Sequence, residues 1–124
     1  PRGRGYMGKV FVNFTNHSSD TWEENQLEAA RRYGPIADLP FPGVFPDADE
    51  EDIEALGKKC CKQILELEPA AVLCQGEFSL TFFVAARLRE KGVKVLTACS
   101  ERRVVQKGNV KSSVFEFVRF REYR

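Results

Sequence analysis

The chain alternates short apolar runs with stretches of helical periodicity, and this alternation restricts its fold more than any other feature. "KVFVNF" (residues 9–14), "AAVLCQ" (70–75) and "VKVLTA" (93–98) are rich in β-forming residues. Between the first two lies one apolar stripe with spacings of three and four, formed by Ile53, Leu56, Cys60, Ile64 and Leu67. Such a stripe is typical of a helix that faces a sheet. Strands alternating with helices predict a mostly parallel sheet covered by helices.

Capping residues mark where the predicted helices begin. In "DTWEENQLEAARRYG", Asp20 precedes Glu23 with capping-box spacing, and Ser19 or Asp20 is expected to cap a helix that ends at Gly34. A short second strand follows at residues 36–39. After a proline-rich loop, Asp47 or Asp49 is expected to cap the second helix. A third helix is predicted in "GEFSLTFFVAARLREKG" (76–92).

The pattern changes near the end of the chain. "ERRVVQ" and "KSSVFEFVRFREY" are β-type segments separated by the turn signal "KGN". The predicted fold class is therefore α/β: a single Rossmann-like domain, residues 7–124, whose mostly parallel sheet is flanked by helices and ends in an antiparallel hairpin. Residues 1–6 precede the only methionine, Met7, and are expected to be a cloning remnant or disordered.

The net charge argues against one class of partner. The formal charge is +1, and without Arg2 and Arg4 it becomes −1. A near-neutral domain lacks the basic stripe that long duplex nucleic acid requires, so no such partner is expected. There is no membrane-length apolar stretch and no signal-peptide pattern, so we expect no membrane association and a cytoplasmic location.

The four cysteines contain no CxxC pair and fall within predicted helices or strands. We expect reduced core thiols and no metal site. The motifs GxGxxG and GxxxxGK[ST] are both absent, so neither a dinucleotide site nor a P-loop site is expected. We therefore expect no cofactor.

Three segments rich in polar residues follow the first, third and fourth predicted strands. Because the carboxyl ends of parallel strands share one sheet edge, we expect these segments to converge on a ligand site. The candidates are Asn13, Thr15, Asn16, His17, Ser18 and Ser19 after the first strand, Gln75, Gly76, Glu77 and Ser79 after the third, and Ser100, Glu101, Arg102 and Arg103 after the fourth.

Each charged or titratable candidate also has a structural interpretation. His17, the only histidine, is the one side chain whose ordinary pKa suits proton transfer near neutral pH, but a lone loop histidine is often merely exposed. Glu77 could simply be a favourable acid at a helix N-terminus. Arg102 and Arg103 should point to opposite faces of a strand, so only one is expected to face the site. Trp22, Phe41 and Phe45 are expected to cover the core.

The "TNHSS" loop, the central "LCQGE", "ACSERR" and the terminal "FEFVRFREY" resemble segments of the small Rossmann-like accessory proteins of type III CRISPR systems. Among these, the sequence is most similar to ring nucleases, which degrade cyclic oligoadenylate second messengers. The resemblance covers the layout of residues 7–123. It implies a homodimer that surrounds a cyclic ligand, with cyclic tetra-adenylate the expected ring, and cleavage without metal.

The resemblance also implies residue roles. A ribose 2′-hydroxyl would attack the adjacent phosphate while His17 assists proton transfer. Thr15, Asn16 and Ser18 would hold phosphates or ribose, and Gln75 and Glu77 would contact ribose or adenine. Arg102 or Arg103 would stabilise developing charge. Catalytic roles thus fall on His17, Glu77 and Arg102, and no second acid stands out.

Other interpretations remain open at this point. The protein could be a sensor that binds a cyclic nucleotide without cleaving it. It could also be a small enzyme acting on single nucleotides, with Glu77 as nucleophile or base, or a structural subunit without a ligand.

Overall fold

The computed structural model describes residues 8–124. The predictions for residues 1–6 and for Met7 lie outside the described residues. The elements are, in order, β1 (Val10–Phe14), a short 3-10 turn (Ser19–Thr21), α1 (Glu24–Arg31), β2 (Ile36–Asp38), α2 (Glu50–Glu66), β3 (Pro69–Cys74), α3 (Phe78–Glu90), β4 (Val95–Lys107) and β5 (Val110–Glu122).

One five-stranded sheet, in the order β2-β1-β3-β4-β5, organises the fold. β1 is parallel to both β2 and β3, β3 is parallel to β4, and β5 is antiparallel to β4. The predicted α/β fold with a mostly parallel sheet and a terminal hairpin is confirmed. The chain moves from β1 outward to β2 and then back to β3, so the β1–β3 boundary is the switch point where ligands bind in such sheets.

The two faces of the sheet have separate apolar cores. On one face Phe11 and Leu73 pack with Ala30 of α1 and with Phe117 and Phe120 of β5. The other face lies under α2 and α3, and its buried residues include Val12, Phe14, Val72, Cys60, Ile64 and Leu80. Alternate residues of each strand serve opposite cores because successive side chains of a strand point to opposite faces.

The second helix begins as predicted. The Asp49 carboxylate accepts a hydrogen bond from the backbone N–H of Asp52 at 2.9 Å, and the Asp52 carboxylate accepts one from the N–H of Asp49 at 3.1 Å. This reciprocal pair satisfies two backbone donors that the first turn leaves unpaired.

The first helix begins later than predicted, and its predicted cap is wrong. Ser19–Thr21 forms a separate turn capped by Ser18, whereas α1 begins at Glu24 without a side-chain cap. The break arises at Trp22, whose backbone is extended. Its indole lies edge-on to Phe11, at 6.2 Å between ring centroids, so packing on the core overrides the local helix signal.

The fourth strand is longer than predicted. β4 continues without interruption to Lys107, because β5 pairs with it along that whole length. The segment Ser100–Arg103 therefore lies inside a strand and not in a loop after it. A register shift between Cys99 and Ser100 is the one irregularity in this pairing.

All four cysteines are free, and three of them are buried, as predicted. Burial raises the pKa of the Cys61 thiol to about 11 and that of Cys74 to about 12. Such thiols are poor nucleophiles at neutral pH. Within residues 8–124, no helix is both long and apolar enough to cross a membrane.

Candidate functional site

A cavity of about 330 Å³ opens at the carboxyl edge of the sheet, on the face covered by α1. It lies beside the β1–β3 switch point and is bounded by the loop after β1, the start of α1 and the ends of β3, β4 and β5. Its wall consists of Thr15, His17, Thr21, Trp22, Glu23, Gln26, Leu73, Gln75, Ala98, Ser100, Phe115 and Phe117. Four predicted site residues, from three strand ends, meet there: Thr15, His17, Gln75 and Ser100.

A buried amide supports the loop after β1. Asn13 is 1% exposed, and its Nδ2 donates to the His17 carbonyl at 2.9 Å and to Asp38 Oδ1 at 2.7 Å. Its Oδ1 accepts from Thr15 Oγ1 at 2.8 Å. Asn13 therefore joins its own loop to the end of β2 and does not line the cavity.

Asp38, at the end of β2, holds the other side of this loop. Its carboxylate accepts from the Ser19 N–H at 3.1 Å and from Ser19 Oγ at 2.8 Å. Burial raises the pKa of Asp38, but the hydrogen bonds from Asn13 and Ser19 outweigh it and leave the pKa below the ordinary 3.8. Ser19 thus connects the loop to the end of β2, and it is absent from the cavity wall.

The backbone of His17 is fixed while its side chain is exposed. Its carbonyl accepts from Asn13 Nδ2 and, at 3.1 Å, from Trp22 Nε1. Its N–H donates to Thr15 Oγ1 at 3.1 Å. His17 lines the cavity on a firmly held backbone, which is a suitable arrangement for a group that transfers protons.

β3 and β4 contribute the opposite wall. Gln75 follows β3 directly, and its Oε1 accepts a short hydrogen bond from the backbone N–H of Ala98. This bond fixes the side chain across the cavity and leaves the amide NH₂ group, with two donors, for other partners. Ser100 lies just after the register shift in β4, and the residue is exposed.

Other predicted residues lie away from the cavity wall. Glu77 is the N-cap of α3: its carboxylate accepts from the Leu80 N–H at 2.8 Å and from Ser79 Oγ at 2.7 Å, and these bonds lower its pKa. A Cβ on Gly76 would come within 2.5 Å of the Phe41 ring. Ser18 caps the 3-10 turn, and Asn16 is exposed.

The two arginines point to opposite faces of the hairpin, as predicted for a strand. Arg102 lies on the face of Ser100 and Phe115, and its Nη2 donates to Ser113 Oγ at 3.0 Å. Arg103 lies on the other face and forms an ion pair with Glu116. Neither guanidinium lines the cavity.

Sequence reasoning missed the part of the wall that comes from α1 and β5. Gln26 of α1 and Glu23, the residue before α1, line the cavity. Phe115 and Phe117 come from β5. The signal was available in part, since the first helical turn after a strand-end loop lies at the same sheet edge. Among the described residues of the wall, Glu23 is the only carboxylate, and none is Lys or Arg.

The aromatic predictions have mixed outcomes. Phe41 is buried against Phe14, at 4.8 Å between ring centroids, and Trp22 packs on Phe11, so both cover the core as predicted. The prediction for Phe45 is wrong, because this residue is 79% exposed. Trp22 also lines the cavity, in addition to packing on Phe11 and Phe120.

Comparison with known proteins gives a family. The model of the Uncharacterized protein MJ1673 family matches residues 9–121, and the chain therefore belongs to this family. No curated protein matches the chain.

Proposed function

We propose that this protein is a ring nuclease that binds a cyclic oligoadenylate, cyclic tetra-adenylate foremost, and cleaves it to switch off type III CRISPR signalling. One observation carries the proposal: the only histidine lies on the wall of a cavity that residues from three strand ends form at the switch point. The sequence resemblance to ring nucleases supplies the class of ligand.

The wall offers groups that suit a nucleotide. Trp22 and Phe115 present aromatic surface for stacking on a base. Thr15, Gln75 and Ser100 offer hydroxyl and amide groups to ribose and phosphate oxygens. Glu23, a carboxylate, favours ribose hydroxyls or an exocyclic amine over phosphate.

The size of the cavity supports a homodimer. Its volume of about 330 Å³ is at the lower end of the roughly 300–1,000 Å³ typical of small-molecule sites, enough for about one nucleotide. A cyclic tetranucleotide exceeds that space. Two copies related by a two-fold axis would each take one part of the ring, in keeping with the repeated structure of the ligand.

The proposed chemistry is an internal transfer. The ribose 2′-oxygen attacks the adjacent phosphorus, the bond to the 5′-oxygen of the next nucleotide breaks, and the products are a 2′,3′-cyclic phosphate and a 5′-hydroxyl. His17 accepts the 2′-hydroxyl proton, which contributes on the order of 10²–10⁴-fold, and the leaving 5′-oxygen takes its proton from solvent. Alignment of the attacking oxygen with phosphorus contributes the remainder.

A second candidate is binding without cleavage, and a specific observation favours it. The described wall has no Lys or Arg, and Arg102 and Arg103 are occupied by Ser113 and Glu116 on the hairpin. A transition state with extra negative charge would then depend on backbone N–H groups and neutral side chains for its stabilisation.

Product analysis separates these functions. The protein is incubated with cyclic tri-, tetra- and hexa-adenylate and with adenosine monophosphate, with and without EDTA, and the products are resolved by chromatography. We expect a linear product with a 2′,3′-cyclic phosphate from at least one ring, unaffected by EDTA. Binding without any product would favour the sensor, and neither binding nor cleavage would contradict both candidates.

The variant His17→Ala tests the proposed proton acceptor. We expect its cleavage rate to fall by about 10²–10⁴-fold. Gln63→Ala, at an exposed residue of α2 outside the cavity, is the matched control and should cleave at the wild-type rate. Unchanged cleavage by His17→Ala would remove His17 from the reaction.

A further inference from the structure

The outer part of the β4–β5 hairpin has no helix or strand packed against it. Residues 101–115, called the hairpin arm here, are all exposed, and they pair with each other except Glu101, which pairs with Glu116. About seven residues of β4 extend in this way, which corresponds to roughly 20–25 Å at the rise of a strand. A two-stranded hairpin alone in water is marginally stable at best, so an arm of this length indicates a covering partner.

The arm is both apolar and basic. Its exposed apolar side chains occupy both faces, with Val110 67% and Val104 62% exposed, while Phe115 also belongs to the cavity wall. Four of its charged residues are basic, Arg102, Arg103, Lys107 and Lys111, against the single acid Glu101, and Arg103 pairs with Glu116 just outside the arm. A partner surface must therefore combine apolar area with negative charge.

The same chain carries such a surface between its second and third helices. A groove of about 490 Å³, called the aromatic groove here, is lined in part by Glu50, Ile53 and Glu54 of α2 and by Ser79, Phe82 and Phe83 of α3. Phe82 is 77% exposed, and Phe78, one helical turn earlier, is 91% exposed. Exposed aromatic side chains grouped in this way mark an interaction site.

Negative charge lies on the α2 side of this groove, where Glu54 also pairs with Lys58 at 3.1 Å, and Arg87 of α3 lies over the Phe83 ring. Residues 47–54 contain six acids and no basic residue: Asp47, Asp49, Glu50, Glu51, Asp52 and Glu54. The near-neutral charge of the whole chain thus conceals an acidic groove and a basic arm. Oppositely charged patches favour association with each other and steer their encounter.

We propose that the hairpin arm of one copy docks in the aromatic groove of a second copy. The geometry allows a reciprocal pair, because both features lie at the same end of the sheet. α3 begins four residues after β3 ends, and the arm extends beyond the part of β4 that pairs with β3. Each copy then contributes one arm and one groove, which gives a closed two-fold dimer.

The inference deepens the proposed function by naming the surfaces of its dimer, but the assembly requires no nucleotide. A protein that stays monomeric yet cleaves cyclic tetra-adenylate would overturn the docking alone. A dimer held by these surfaces that cleaves nothing would overturn the nuclease alone.

The test is the molar mass of the full chain, without nucleotide, by light scattering and sedimentation at micromolar concentration. We expect a dimer at low ionic strength. It should weaken near 1 M salt, where the Debye length is about 3 Å. A monomer at all salt concentrations would overturn the proposal. The same result is expected if the arm binds a different protein instead of a second copy.

Charge reversal identifies the surfaces. Glu50→Lys/Glu54→Lys reverses the groove, and Lys107→Glu/Lys111→Glu reverses the arm. Each double variant alone should be monomeric. Mixed together they should form a heterodimer, because each arm again meets a groove of opposite charge. Dimers that persist in either variant, or no association in the mixture, would overturn the proposal. Circular dichroism shows that the variants remain folded.

Phe82→Ser tests the apolar part of the contact independently of charge. Because this side chain is largely exposed, its loss should leave the free energy of unfolding within about 0.5 kcal/mol of wild type. We expect at least a tenfold rise in the dimer dissociation constant. Phe45→Ser, at another exposed phenylalanine outside the groove lining, is the control and should leave dimerisation unchanged.

Discussion

Asn13 illustrates, at the scale of one residue, how a polar side chain near a ligand edge can serve the loop itself. The sequence identified Asn13 and Ser19 as ligand candidates because of their residue types and positions. The structure uses both to connect the loop after β1 with Asp38. Residue type alone does not reveal whether a polar group is satisfied within the protein, because its partner is 25 residues away in the chain.

Removing the Asn13 amide should destabilise the fold. Asn13→Ala takes away three hydrogen bonds and leaves the buried Thr15 hydroxyl and the His17 carbonyl with fewer partners. A hydrogen bond contributes about 0.5–1.5 kcal/mol, so we expect the loss of three to cost about 2–4 kcal/mol in urea unfolding. Asn16→Ala, at an exposed neighbour, should stay within about 0.5 kcal/mol of wild type. Equal effects of the two changes would contradict this role.

Asp38 should make stability depend on acid pH. Its pKa is lower in the folded protein than the ordinary 3.8, so its contribution is fully present above that pH and is lost as pH falls through the folded pKa. Asp38→Asn lacks this titration. The difference in free energy of unfolding between wild type and Asp38→Asn should therefore shrink below pH 3.8. A difference that is constant or grows toward acid would be inconsistent with the hydrogen bonds described.

At the scale of elements, the sequence predicted correctly those features whose interacting residues are close together in the chain. Helix α2 begins at its capping box and shows its apolar stripe, and the "KGN" turn joins two strands. The start of α1 and the length of β4 were mispredicted for a different reason. Trp22 is held by packing on Phe11, and the residues of β4 by pairing with β5, which are contacts between distant parts of the chain.

The turn between β3 and α3 requires a glycine at position 76. A Cβ there would lie 2.5 Å from the buried Phe41 ring, so Gly76→Ala should cost about 1–3 kcal/mol through overpacking. At Gly43 nothing lies within 4 Å of the added Cβ. Gly43→Ala should therefore be neutral or slightly stabilising, since it restricts the unfolded chain. The comparison is made by thermal and urea unfolding, and a Gly76→Ala protein as stable as Gly43→Ala would refute the packing argument.

For the whole molecule, the sequence predicted at which edge of the sheet the candidate site lies, but not on which face of the sheet. Strand polarity correctly places the ends of β1, β3 and β4 at one edge. That edge has two faces, however, and of the predicted site residues only Thr15, His17, Gln75 and Ser100 reach the cavity on the α1 face. Glu77 and Ser79 belong to the start of α3, which packs on the other face. The separation depends on the backbone path within a three-residue turn, which residue spacing does not specify.

The distribution of charge is a second property that only the folded molecule reveals. A formal net charge of +1 indicates no preferred partner. In three dimensions, the acids around the start of α2 lie beside exposed phenylalanines, while the basic residues of the hairpin arm lie beside exposed valines. The proposed dimer follows from this arrangement and not from the overall composition.

The most direct test of the central claim is a titration with cyclic tetra-adenylate followed by the fluorescence of Trp22, the only tryptophan, which forms part of the cavity wall. We predict a saturable change in wild type and in Gln63→Phe, which adds a ring on α2 outside the cavity, and none in Ser100→Phe, which fills the cavity. No saturable change in wild type, or equal binding by Ser100→Phe, would contradict the assignment of this cavity to a cyclic oligoadenylate.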